Sequence, residues 1–153
     1  MSRAAVVSIL LSAWLGAALL VATVVAPAAF AVLPSRTLAG ALVGRVLPVL
    51  FIAGLVATLA SLGLDRGDYG RAIRVRRALL VLAAASCAVA QFAVAPRIER
   101  VRKAIDGPVE QLPAGDPRRV AFGRLHAASV VWLGFAMVAA VTTLVLVSLR
   151  KQS

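Results

Sequence analysis

Few side chains in this chain can do chemistry, and their spacing narrows what that chemistry is. His126 is the only histidine and Cys87 the only cysteine. A neutral imidazole is the commonest ligand side chain for metals and also holds haem, so His126 is the candidate metal ligand. The plainer reading is a hydrogen-bonding residue at the edge of an apolar run. Met137 follows on the same run, about 16 Å away by helical rise, too far to share an ion with His126. Cys87 lies deep in a different apolar run, and a lone cysteine excludes a disulfide framework or a multi-cysteine zinc site. No second histidine is present for a bis-histidine haem within one chain. The residues therefore predict no cofactor, with haem or copper at His126 as the alternative.

The arginines are the second set. Arg45, Arg97 and Arg124 each stand at the border of an apolar run. Guanidinium groups fork onto carboxylate or phosphate, so together with His126 they can form an anion-binding surface. The competing reading is anchoring to lipid head groups. Within the apolar runs the polar residues are Thr23, Thr58, Ser86, Cys87, Gln91, Thr142 and Thr143. They read first as hydrogen-bonding glue between helices, beside small-residue faces such as Ser12/Gly16 and Ala53/Ala57/Ser61. Gln91 is the most polar and lies about 9 Å from the level of Arg97 along a helix.

The elements that must position these residues follow from composition. Hydrophobic residues make up 61% of the 153 and charged residues only 15%, too few to clothe a soluble globule. Mean hydropathy is +0.95. The apolar residues form long uncharged runs separated by arginine-rich stretches, as expected when lipid is the solvent. The net charge of +11 does not point to nucleic acid, because the arginines lie at the ends of apolar spans and leave no soluble basic face.

Four spans are expected, at residues 4–33, 46–64, 78–95 and 127–149, with an extramembrane connection at 97–125. This is an all-α polytopic membrane four-helix bundle formed by a single transmembrane domain over residues 1–153. The first run exceeds a bilayer core of about 30 Å and must tilt or bend, with Pro27 the expected kink. Ala29-Phe30-Ala31 imitates a signal-peptide cleavage site, but the preceding apolar stretch is about twice the usual length, so an uncleaved helix is expected. Pro34-Ser35 predicts a break and a helix cap, with a short interfacial helix from Ser35 to Arg45. Asp65 to Gly70 predicts a turn. The third helix continues past the membrane until Gly107-Pro108 and Pro113 break it. Asp116-Pro117 predicts the start of the fourth helix, about two turns before its apolar core.

Two pairs of segments resemble each other. Leu42-Val43-Gly44-Arg45-Val46-Leu47 parallels Ala121-Phe122-Gly123-Arg124-Leu125-His126, and Val24-Val25-Ala26-Pro27 parallels Ala93-Val94-Ala95-Pro96. They predict two repeated helical hairpins pointing the same way. That arrangement sets Pro27, Arg45, Pro96, Arg97, Arg124 and His126 near one membrane face, with Gln91 below it, and makes these seven the candidate ligand-binding residues. The spans carry no Asp, Glu, Lys or Arg, which argues against an ion-coupled pump working through the bundle centre.

Orientation is nearly balanced. The termini and the connection after the second span carry Arg3, Arg66, Arg71, Arg74, Arg76, Arg77, Arg150 and Lys151. The opposite side carries Arg36, Arg45, Arg97, Arg100, Arg102, Lys103, Arg118, Arg119 and Arg124. The short, densely basic 65–77 connection tips the expectation toward cytoplasmic termini.

Trp14-Leu15-Gly16, Ala26-Pro27-Ala28-Ala29-Phe30 with Leu33-Pro34, Gly44-Arg45-Val46-Leu47-Pro48, Ala95-Pro96-Arg97-Ile98 and Phe122-Gly123-Arg124-Leu125-His126-Ala127-Ala128-Ser129 occur in this order. The pattern resembles the transmembrane protein 205-like family, whose bacterial members carry a domain of unknown function. The likeness covers nearly the whole chain and implies a four-helix membrane protein; a bacterial inner membrane is the expected location. Eukaryotic relatives are linked to platinum-drug resistance. More distantly the chain looks like copper-resistance D-type proteins and four-helix haem-dependent protoporphyrinogen oxidases, but lacks the additional histidines and the intramembrane lysine of such a haem site. The leading expectation is thus a non-enzymatic membrane protein that binds or helps transport a small anion, metal complex or lipid. A haem- or metal-dependent oxidoreductase and a structural subunit of a membrane assembly are the alternatives. The bilayer is the expected partner, with a homo-oligomer or membrane partner further options and nucleic acid excluded.

Overall fold

In the computed structural model, residues 2–65 and 70–150 are described. They form four long helices: α1 Arg3–Val32, α2 Arg36–Leu64, α3 Arg71–Lys103 and α4 Pro117–Leu149, of 30, 29, 33 and 33 residues. No strand occurs among the described residues. At about 1.5 Å per residue each helix spans roughly 45–50 Å, so its ends stand beyond a hydrocarbon core of about 30 Å. Each is long and apolar enough to cross a membrane, and the protein is an integral membrane four-helix bundle.

The caps explain the boundaries. Ser2 accepts a hydrogen bond from the Ala5 amide at 3.2 Å and Ser35 one from Leu38 at 3.2 Å. Each satisfies an amide that the first helical turn leaves without a partner. Asp116 does the same for Arg118 at 2.8 Å, with Pro117 opening α4. Gly107 adopts φ +102° in the connection after α3, a backbone region that glycine enters without a Cβ penalty. The short helix expected from Ser35 to Arg45, leading into the second span, is the first part of one longer helix. Helix α2 runs unbroken from Arg36 and carries Pro48 inside it. The turn expected from Asp65 to Gly70 has its central residues 66–69, and the basic tally its Lys151, outside the described residues.

Helices α1 and α3 share a device. A wide π-helical turn at Val21–Val25 precedes Ala26-Pro27, and another at Val89–Val94 precedes Ala95-Pro96. A proline ring clashes with the carbonyl one turn before it and removes an amide donor; a wider turn relieves both faults without breaking the helix. The likeness read between these two segments in the sequence thus has a counterpart in the backbone.

Helix α1 packs on α2 and α4, and α3 packs on α2 and α4, which closes a ring. The central layer holds Trp14, Ala18, Phe51, Cys87, Ala90, Leu133 and Ala136. Alanines at the contacts let the backbones approach closely, the usual way helices associate where no hydrophobic force drives them together. Helices α1 and α2 meet closely at Gly54. The Trp14 indole lies over this glycine and donates to the Leu50 carbonyl at 2.9 Å. Val7, Leu11, Leu80 and Val147 close one end of the bundle, and Ala29, Ala39 and Val43 pack at the other.

Candidate functional site

The end of the bundle holding the α1–α2 turn and the α3–α4 connection is built around three tethers. The Glu110 carboxylate accepts from the Thr37 hydroxyl at 2.6 Å and from its amide at 3.3 Å, and so serves as a second cap on α2. Glu110 is exposed, and the hydrogen bond from the Thr37 hydroxyl, the largest influence, holds its carboxyl below the usual carboxylate range. Arg119 donates to the Leu112 carbonyl at 2.6 Å and Arg118 to that of Ala104 at 3.3 Å. Arg118 also pairs with Asp116 at 2.9 Å, and this hydrogen bonding lowers the Asp116 carboxyl likewise. The connection is thereby fastened to the starts of both α2 and α4.

Beside it, α2 and α3 diverge around an open cavity of about 430 Å³ lined by Ala41, Gly44, Arg45, Glu99, Arg102 and Lys103. Three cations and one carboxylate share its wall. Arg45, Glu99 and Lys103 are exposed and Arg102 is half-buried. Gly44 leaves the wall open: a Cβ there would come only within 3.9 Å of the Arg102 guanidinium. Among the described residues no carboxylate pairs with Arg45, Arg102 or Lys103, and Glu99 pairs with no cation. The site can therefore offer guanidinium and ammonium donors to an anion, with one acceptor beside them.

Of the seven residues expected from the sequence, Arg45 lines this cavity. Pro96 and Arg97 are exposed on α3 one to two turns before Arg102, and Arg124 and His126 are exposed on α4. Pro27 is exposed on α1 beyond its π-turn. Gln91 sits inside the π-turn of α3, and its Oε1 is buried without a hydrogen-bond partner. No group of three or more His, Cys, Asp or Glu side chains converges among the described residues. The sequence reading missed Glu99, Arg102 and Lys103 as site residues. Their signal was present: the helical repeat that carries α3 past the membrane also turns all three toward α2.

A further feature escaped the sequence reading. At the opposite end of the bundle Arg76 forms a bidentate pair with Asp65 through Nη2–Oδ1 and through Nε–Oδ2, the latter at 3.0 Å. Both side chains are under 10% exposed. Arg77 adds a bond to the Asp65 carbonyl at 2.9 Å. This clasp joins the end of α2 to the start of α3, so Arg76 serves packing rather than the outer basic surface.

No curated protein and no solved structure gives a match to the chain. A family model described as a domain of unknown function, DUF4149, matches residues 9–106, from α1 to just past the end of α3. All six lining residues of the cavity fall within that stretch, whereas Arg124 and His126 fall outside it. Because the match covers well over half of its residues, this chain belongs to the DUF4149 family.

Proposed function

We propose that the protein is a non-enzymatic membrane protein that binds an anionic ligand, phosphate- or carboxylate-bearing, at the end of the bundle where α2 and α3 part. The observation that carries this reading is the cavity walled by Arg45, Arg102 and Lys103, which pair with no carboxylate among the described residues. Three cations against one carboxylate leave an excess of positive charge beside low-dielectric walls, which concentrates anions. Arg97, Arg124 and His126 extend the same basic face, and Pro27, Pro96 and Gln91 shape the helices behind it. In this reading the protein lies in a bacterial inner membrane with cytoplasmic termini, supported by the dense basic run leading into α3. The resemblance to the transmembrane protein 205-like family, carried by the glycine-arginine and alanine-proline motifs, supports the four-helix membrane frame in which this site sits.

Saturable binding of inorganic phosphate, acetate or a short-chain anionic phospholipid to the detergent-purified protein tests the reading. Joint replacement of Arg45, Arg102 and Lys103 by alanine is expected to abolish binding, and rising salt to weaken it in the wild type. Equal binding by the variant, or no saturable binding by the wild type, overturns the assignment. Arg97→Ala, Arg124→Ala and His126→Ala then measure how far the site extends.

A further inference from the structure

An anion site in a membrane protein draws its ligand either from the water or from the lipid. The surroundings of this cavity favour the lipid. Arg45 stands near the membrane border of α2, and one and two turns deeper on the same side are Val49 and Ile52, 68% and 47% exposed. Glu99 stands at the corresponding level of α3, and two turns deeper is Phe92, 64% exposed. Seven residues of helix descend about 10 Å, so both helices set exposed apolar side chains at about one depth below the charged wall. A free phosphate uses only the cations. A lipid uses the cations with its head group and the apolar strip with its chains.

Glu99 refines the choice. A carboxylate in a basic cavity opposes a bare phosphate, and here none of the three cations neutralises it. It becomes favourable when the ligand brings a hydrogen-bond donor beside its phosphate, since bonds to an ionised acceptor are the stronger kind. We propose that the α2–α3 cavity binds a glycerophospholipid, its phosphodiester on Arg45, Arg102 and Lys103 and a head-group hydroxyl or ammonium donor on Glu99. This deepens the anion-site reading and rests on it. Basic pockets between membrane helices are known lipid head-group sites on general grounds. What this cavity adds is the acceptor.

The test is binding of short-chain lipids to the full chain in detergent, followed by native mass spectrometry and thermal shift. The probes are dioctanoyl phosphatidylglycerol, dioctanoyl phosphatidylmethanol and inorganic phosphate. The two lipids carry the same charge and differ in the glycerol hydroxyls. Phosphatidylglycerol is expected to bind about tenfold tighter than phosphatidylmethanol, the worth of one hydrogen bond to a charged acceptor. Glu99→Ala is expected to make the two lipids equal. Gly44→Leu keeps every charge, suits a helix, and fills the cavity wall, so it is expected to lose both lipids while α2 stays folded by circular dichroism. Phosphate bound as tightly as phosphatidylglycerol overturns the lipid inference and leaves the anion site standing. Wild-type protein that binds none of the three overturns both. A preference for phosphatidylglycerol that survives Glu99→Ala overturns the role of the carboxylate.

Discussion

Gly54→Ala is the most demanding test of the packing. The new Cβ would lie 2.6 Å from both Cε2 and Nε1 of Trp14 and 2.8 Å from Cζ2. Carbon atoms in good contact sit about 3.5–4.0 Å apart, so the indole must retreat by roughly 1 Å. It is 4% exposed and hemmed in by the central layer. A shift of that size also stretches its 2.9 Å bond to the Leu50 carbonyl beyond hydrogen-bonding range. Overpacking costs about 1–3 kcal/mol and an orphaned buried indole N–H about 1–3 kcal/mol. Alanine returns about 1 kcal/mol through helix propensity. The two costs overlap, because retreat relieves the clash as it breaks the bond. The expected net loss is therefore about 2–3 kcal/mol. Trp14→Phe alone should cost about 1 kcal/mol, since it removes the donor but leaves the carbonyl in its helix. Phenylalanine lacks Cζ2 and the Nε1–H bond that pins the ring over Gly54, so its ring can retreat and Gly54→Ala in that background should cost under about 1 kcal/mol. Equilibrium unfolding in mixed micelles measures all four corners of this cycle. Strict additivity, or a Gly54→Ala protein as stable as the wild type, would refute the close approach of α1 and α2.

Further predictions follow from the two ends of the bundle. Asp65→Ala leaves Arg76 buried without its partner and should cost about 3–5 kcal/mol in the same unfolding assay, whereas Asp65→Leu combined with Arg76→Met should recover most of that loss. Equal stability of the single and double variants would show that the pair is not buried as described. The Glu110 tether is pH-dependent with a definite sign. Its carboxyl is held below the usual range when folded, so the tether is intact above the usual carboxylate range and is lost as pH falls through the depressed value. Hydrogen exchange of the 104–116 amides should therefore quicken on acidification beyond its intrinsic pH dependence. In Glu110→Gln these amides should exchange faster already at neutral pH, with no further acid response. The same acid response in both proteins would refute the tether.

Much of the architecture was legible because lipid imposes strict rules. Runs without charge had to be helices, since only helices and closed barrels satisfy their backbone in hydrocarbon. The caps at Ser35 and Asp116 were readable because their side chains act within three residues of themselves. The border read at Arg45 proved to lie inside one continuous helix. An arginine extends its charge along its stem to the interface, so it can mark a membrane border without ending the helix. The π-turns were not legible as such: Pro27 and Pro96 announced a perturbation, and whether it becomes a kink or a widened turn depends on neighbouring helices.

By itself, then, the sequence determined the solvent, the number of crossings, and which residues stand at their ends. Apolar run length and arginine placement are local properties, and a bilayer reads them locally. Tertiary structure decided which helices are neighbours and hence which charges meet. It set Arg45 against Arg102 and Lys103, 57 and 58 positions away, and buried Arg76 on Asp65. It also pressed Trp14 onto Gly54. The physical reason is that charge and hydropathy choose the depth of a residue in the membrane. Its angular position around the bundle is set by small-residue packing and interhelical hydrogen bonds, and these exist only once the helices have met.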